Sequence, residues 1–147
     1  MYWEDFRNDF ALTTPTRRAT AEDLDAFIRL SGLDNPIFSS REGASQAGHA
    51  DRIVPAPLQL SIAMGLAQQA GLFDHVAAVL EFRRLTFHQT VHPGVELTLT
   101  AQVLEKRPTR RPDRGIVVLA YEMRDQDGRL VMSSEAVYMM RRRPAEA

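Results

Sequence analysis

A chain of 147 residues, 44% hydrophobic and 25% charged, is long enough for one domain with its own core, and its composition excludes a disordered or fibrous protein. A formal net charge of −1 supplies no general attraction to nucleic acid or an anionic membrane, and the absence of cysteine excludes disulfides, thiolate metal sites and cysteine nucleophiles. The acidic opening MYWEDFRNDF does not read as a signal peptide and no run approaches the roughly 18 apolar residues of a membrane span, so a cytoplasmic protein is expected.

The first element opens at Thr20, where T-A-E-D offers a capping hydroxyl with an acid three residues on. Leu24, Phe27 and Ile28 follow at helical spacing and Gly32 ends the helix. The segment after it, L-D-N-P-I-F-S-S-R-E, is rich in turn formers, with a short helix predicted over residues 41–46. A longer helix is predicted from Pro57 to Ala70, with Pro at its start and Gly71 just past its end. Its apolar residues Leu58, Leu60, Ile62, Ala63, Met64, Leu66 and Ala67 cover almost the whole circumference, which predicts burial on most sides.

Everything beyond reads as strand: His75 to Arg83, Leu85 to His88, Val95 to Glu105, Gly115 to Met123 and Arg129 to Arg141. Val95, Leu97, Leu99, Ala101 and Val103 alternate with polar residues, the period of a sheet with one buried face. Asp127-Gly128 and His92-Pro93-Gly94 mark turns. A helical half followed by four or five antiparallel strands is an α+β order, with the sheet curved around the apolar helix. No linker or repeat divides the chain, so a single domain spanning residues 1–147 is expected.

These residues resemble the MaoC-like hydratases and dehydratases of the hot-dog fold. The likeness covers nearly the whole chain, through Tyr2 to Phe6, Thr20 to Phe27, Ser31-Gly32, Asn35-Pro36, Arg52-Ile53, Leu58 to Ser61, Gly65 to Asp74, Val91 to Gly94, Glu105 to Gly115 and Asp125 to Gly128. The resemblance implies a hot-dog fold, an acyl-CoA thioester as ligand, and assembly as a homodimer or higher oligomer, or as a hetero-oligomer with an active homologue. No cofactor or metal is implied beyond the coenzyme A carried by the ligand.

The family's run S-G-D-x-N-P-x-H supplies an acid and a base that hold water for addition to an enoyl thioester. A carboxylate can accept the water's proton while an imidazole, near neutrality, exchanges one with the substrate carbon. Here the run is Ser31-Gly32-Leu33-Asp34-Asn35-Pro36-Ile37-Phe38, so Leu33 and Phe38 stand at those two positions. Neither side chain can transfer a proton. Before the long helix the family shows H-G-M, where main-chain N–H groups resemble an oxyanion hole; this chain shows Pro55-Ala56-Pro57, which leaves only the Ala56 N–H to bind a carbonyl.

Asp34, one place from the replaced carboxylate, and His49 are the candidate displaced acid and base. For substrate binding the candidates are Asn35, Ala56, Ser61 and, in the most basic loop, Arg110 and Arg111 facing the phosphates of coenzyme A. Each has a plainer alternative: Asp34 as a turn residue, His49 as a loop histidine, Ser61 bonded to the preceding helical turn, and the arginines as solvated hairpin charge. His88 and His92 read as solvent-facing or hydrogen-bonded. Three functions stay open: an acyl-CoA-binding homologue without hydratase activity, a hydratase or dehydratase using displaced groups, and a thioesterase with Asp34 as base.

Overall fold

The computed structural model describes residues 1–145. A short 3₁₀ turn at Trp3–Asp5 leads into β1 (Ala11–Thr13) and β2 (Arg17–Arg18), followed by helices α1 (Ala21–Ser31), α2 (Pro36–Ser39), α3 (Arg41–Gln46) and α4 (Ala56–Gln69). Four long strands complete the chain: β3 (Val76–Phe87), β4 (Glu96–Pro108), β5 (Arg114–Arg124) and β6 (Leu130–Arg141). They form an antiparallel sheet in the order β1-β4-β5-β6-β3, with β2 also on β4.

Local chemistry fixes the helix ends. Thr20 caps α1 by accepting from the Asp23 N–H, while Asp23 accepts from the Thr20 N–H, and Gly32 closes the helix in the left-handed conformation at φ 73°. Such reciprocal capping satisfies amides that a helix start would leave unpaired. Along β4, Leu97, Leu99 and Ala101 are buried as their alternation predicts, and with Ile62, Leu66 and Ala67 of α4 they form the main core between helix and sheet.

Three expectations need correction. The strands predicted over 75–83 and 85–88 are one strand, β3, bent where its register with β6 shifts between Arg83 and Thr86 and where Arg84 adopts φ 49°. A bulge of this kind interrupts the two-residue period without ending the strand. Helix α4 is not buried on most sides: Leu58, Gln59, Ile62, Ala63, Leu66 and Ala67 are buried, whereas Pro57, Ser61 and Gln68 are exposed and Leu60 and Met64 half-buried. Its stripe at 57, 61, 64 and 68 lies open in the single chain. Finally, Pro36–Ser39 is helical, and the short β1 and β2 have no counterpart in the expected elements.

At one end of the sheet the amino-terminal segment is clamped down. The Trp3 indole donates to the Ile116 carbonyl at 3.1 Å, and the Lys106 ammonium and the Arg142 guanidinium lie over its ring, 4.1 and 4.7 Å from the centroid. Gly115 makes room for it, since a Cβ there would come within 2.3 Å of the indole nitrogen. Glu4 pairs with Arg142 at 3.0 Å and Asp5 with Arg143.

Candidate functional site

The stretch Ser31-Gly32-Leu33-Asp34-Asn35-Pro36-Ile37-Phe38 crosses from α1 into α2. Asn35 caps α2, its side-chain oxygen accepting from the Ile37 N–H at 3.1 Å, with Pro36 in the first turn, where its missing N–H costs nothing. Ser40 caps α3, and Gly43 lets that helix sit directly on Pro36, where a Cβ would come within 2.5 Å. Arg52 then locks the segment: its Nε donates to the Phe38 carbonyl at 2.7 Å and its guanidinium pairs with Asp25 of α1. The Arg52 carbonyl in turn contacts His92 Nδ1 at 2.8 Å.

Held this way, the half-buried Phe38 forms one wall of an open groove of about 320 Å³. Ile53, Val54, Pro55 and Ala56 continue it at the start of α4, and Gln59, Phe87, His88, Gln89 and Thr90 complete it. Helix α4 has no side-chain cap. Leu58 and Gln59 donate their N–H groups to the Pro55 carbonyl and Pro57 has none, so the Ala56 N–H is the amide left for a ligand at the positive end of the helix. Gln59, which also lines the groove, carries the one buried side-chain polar atom without a partner among the described residues, Oε1.

Asn35, Ala56 and Phe38 are brought to one place, Asn35 as the cap that orients Phe38 and the other two as groove walls. Leu33 is half-buried, its N–H donating to Ser31 Oγ at 3.2 Å, and Asp34 is exposed and does not line the groove. His49 is half-buried beside His92, ring centroids 6.4 Å apart, and also lies outside it. Ser61 donates to the Pro57 carbonyl at 2.8 Å on the open stripe of α4. Arg110 and Arg111 sit in the β4–β5 loop, Arg111 paired with Asp113 at 3.3 Å. That loop is at the far end of the sheet, since Phe87 pairs with Met132 while Arg114 pairs with Arg141, roughly 30 Å apart along β6.

Two groove residues were missed by sequence reasoning in their roles. His88 Nε2 pairs with Ser133 Oγ at 2.7 Å, which places a titratable ring in the groove wall. Gln59 sits with Ile62, Ala63 and Leu66 on the buried face of α4, and a polar residue at that helical spacing is the signal that marks it.

A larger cavity of about 770 Å³ lies at the other end, among Glu4, Asp113, Arg114, Arg141, Arg142 and Arg143. Three of those arginines are already paired, Arg114 with Asp113, Arg142 with Glu4 and Arg143 with Asp5. Burial there works to raise the Glu4 and Asp5 carboxyl pKa values, but hydrogen bonds from backbone N–H groups and from Arg142 and Arg143 outweigh it and hold both below the ordinary range. The smaller groove is the better candidate, because Phe38 of the 31–38 run and Ala56, whose N–H is left unpaired at the start of α4, both line it. No helix among the described residues is long and apolar enough to cross a membrane.

Comparison with known proteins agrees with this architecture. The family model of the MaoC like domain matches residues 7–122. A Parafrankia protein of the UPF0336 group is 30% identical over 118 residues, covering 75% of each chain. The structure of an (R)-hydratase from A. caviae involved in PHA biosynthesis superposes with a TM-score of 0.73 at 26% identity, covering 94% of this chain and 97% of that one. A Mycobacterium tuberculosis protein with a double hot-dog fold superposes with a TM-score of 0.88 at 19% identity, over all of this chain and 46% of that one. The fold is therefore a hot-dog, an antiparallel sheet curved around α4.

Proposed function

Because this chain belongs to the MaoC-like domain family, we propose that it binds acyl-CoA thioesters in the Phe38–Ala56 groove without running the family's usual hydration from positions 33 and 38. The observation that carries this reading is the meeting of Phe38 and Ala56 in one groove. A thioester carbonyl on the Ala56 N–H would lie at the helix's positive end, where a hydrogen-bond donor stabilises the polarised oxygen. Beside it stands a phenyl ring that can pack on an acyl chain and cannot move a proton.

A dimer would serve the same reading. Strand β3 pairs with β6 on one side only, and its Val79 and Leu80 are exposed. Antiparallel pairing of two β3 strands would extend the sheet, cover these side chains and carry the partner's β4–β5 loop, with Arg110 and Arg111, toward this groove. In such a dimer those arginines would lie nearer to coenzyme A phosphates in the groove than they do in the single chain. An active homologue in place of the second copy would use the same edge.

Calorimetric titration with butyryl-CoA and crotonyl-CoA tests binding, and the Leu33→Asp/Phe38→His double variant tests the groove's chemistry. Binding by the parent and a gain of crotonyl-CoA hydration of about 10²–10⁴-fold in the variant are expected. No binding by the parent and no hydration by the folded double variant would overturn the proposal.

His88 in the groove wall favours one alternative, a hydratase or dehydratase working through a displaced base. Crotonyl-CoA turnover by the unmodified protein that vanishes in His88→Ala, and not in Asp34→Asn or His49→Ala, would establish it.

A further inference from the structure

The cavity of about 770 Å³ at the other end of the sheet is lined by Arg114, Arg141, Arg142 and Arg143, together with Glu4, Asp113, Pro112, Pro144 and Ala145. The chain as a whole has a net charge of −1, yet this end is cationic. Residues 105–114 and 141–143 carry eight lysine and arginine side chains, and with Glu4 and Asp5 included only four carboxylates stand against them. Arg114 and Arg141 are direct partners across β5 and β6. Like charges at such a position repel and cost stability unless an opposite charge joins them. Asp113 pairs with Arg114 at 3.1 Å but is shared with Arg111, and no carboxylate among the described residues reaches Arg141. Glu4 accepts from Arg142 Nε at 3.0 Å, which leaves both Nη groups of that guanidinium without an acceptor among the described residues. The same guanidinium lies over the Trp3 ring, 4.7 Å from the centroid, so it is held in place before any ligand arrives.

We propose that this cavity, with Arg114, Arg141 and Arg142 as its cations, is a binding site for a diphosphate-bearing ligand of nucleotide size, separate from the groove at the start of α4. A guanidinium meets phosphate oxygens with parallel N–H donors, and two linked phosphates neutralise two neighbouring arginines where one monovalent anion cannot. The volume falls within the range of about 300–1,000 Å³ common to small-molecule sites and exceeds what a lone phosphate fills, which leaves room for an attached nucleoside. No residue of the groove takes part, since Phe87 and Arg114 pair with opposite ends of β6, at Met132 and Arg141. The inference therefore stands whether or not an acyl thioester binds at Ala56.

Isothermal titration of the full-length protein with pyrophosphate and with ADP tests this, at about 0.15 M salt so that diffuse surface attraction is screened. Trp3 fluorescence is a second readout, because Arg142 lies over the only tryptophan. Both probes should bind and alter the Trp3 emission. Arg141→Gln and Arg114→Gln should each weaken binding about tenfold, the loss of one charge-assisted partner, whereas Arg84→Gln, at an exposed arginine of β3, should leave it unchanged. Absence of binding by both probes overturns the proposal, as does affinity retained in both cavity variants. An equal loss in Arg84→Gln also overturns it, by making the attraction a property of the whole surface. Coenzyme A binding where neither probe does would assign the cavity to the thioester ligand and refute a separate site. Displacement of ADP by polyglutamate at higher affinity would make the surface a dock for an acidic protein and refute the small-ligand reading.

Discussion

Replacing Tyr138 by Phe should destabilise the protein more than the loss of one hydroxyl suggests. Tyr138 and Tyr121 are each 1% exposed, and the Tyr138 hydroxyl donates to the Tyr121 oxygen at 2.9 Å inside the core. Tyr138→Phe strands the Tyr121 hydroxyl away from water, at a cost of about 1–3 kcal/mol, and Tyr121→Phe strands the other by a similar amount. Removing both leaves nothing unpaired, so the double variant should cost less than the two singles together, with a coupling of about 1–3 kcal/mol. In a domain of this size Tm should fall by roughly 3–10 °C in each single variant. Burial, with the neighbouring Tyr138 next, raises the Tyr121 pKa well above 10.0, and burial raises that of Tyr138 against the opposing bond to Tyr121. Both values are raised in the folded state, so their contribution is complete below the unfolded tyrosine value and is lost as pH rises past it. Thermal and urea denaturation of the four proteins, together with absorbance at alkaline pH, measures this. Strictly additive losses, or ionisation of either tyrosine before unfolding, would refute the reasoning.

Ile62→Asp should unfold the chain, because an unpaired carboxylate at a 1% exposed site cannot be hydrated, whereas Met64→Asp on the open stripe of α4 should fold and fail to dimerise; light scattering and circular dichroism separate the two outcomes. Gly115→Ala should evict the Trp3 indole, red-shift the fluorescence of the only tryptophan and cost about 1–3 kcal/mol, while a spectrum identical to wild type would contradict the close approach. Glu4 and Asp5 have lowered pKa values in the folded state, so their contribution is present above the ordinary carboxylate values of 4.5 and 3.8 and is lost as pH falls through the lower folded ones. Glu4→Gln/Asp5→Asn should therefore flatten the acid limb of a pH–stability curve, and an unchanged limb would refute that assignment.

The elements most visible in the sequence are those whose local chemistry and burial agree. Thr20, Asp23 and Gly32 delimit α1 by capping alone, and β4 announces itself by alternation because one face meets α4 and the other meets solvent. Strands of two or three residues such as β1 and β2 are too short to carry a period, and their pairing with β4 is a long-range event. Arg84 hid the continuity of β3 because a bulge mimics a strand break. In the groove, Phe38 and Ala56 were legible through the two runs that contain them, residues 31–38 and 55–57. Gln59 and His88 were not, since whether an amide is stranded or a ring reaches a groove wall depends on neighbours distant in the chain, Val54 and Ser133 among them.

The lopsided charge of β3 has a consequence for how such a chain survives as a single copy. Its second half carries Glu81, Arg83 and Arg84, which resist indiscriminate pairing, whereas residues 76–80 read V-A-A-V-L with no charge and no proline. On a newly made or diluted chain this half is a template on which unrelated strands can grow. In the proposed dimer, exposure of the edge would depend on concentration: mass action at high protomer levels would protect it, and dilution or loss of a partner would expose it to aggregation and proteolysis. Abundance in a cell would follow the supply of whatever strand fits against residues 76–80 as closely as the stability of the fold itself.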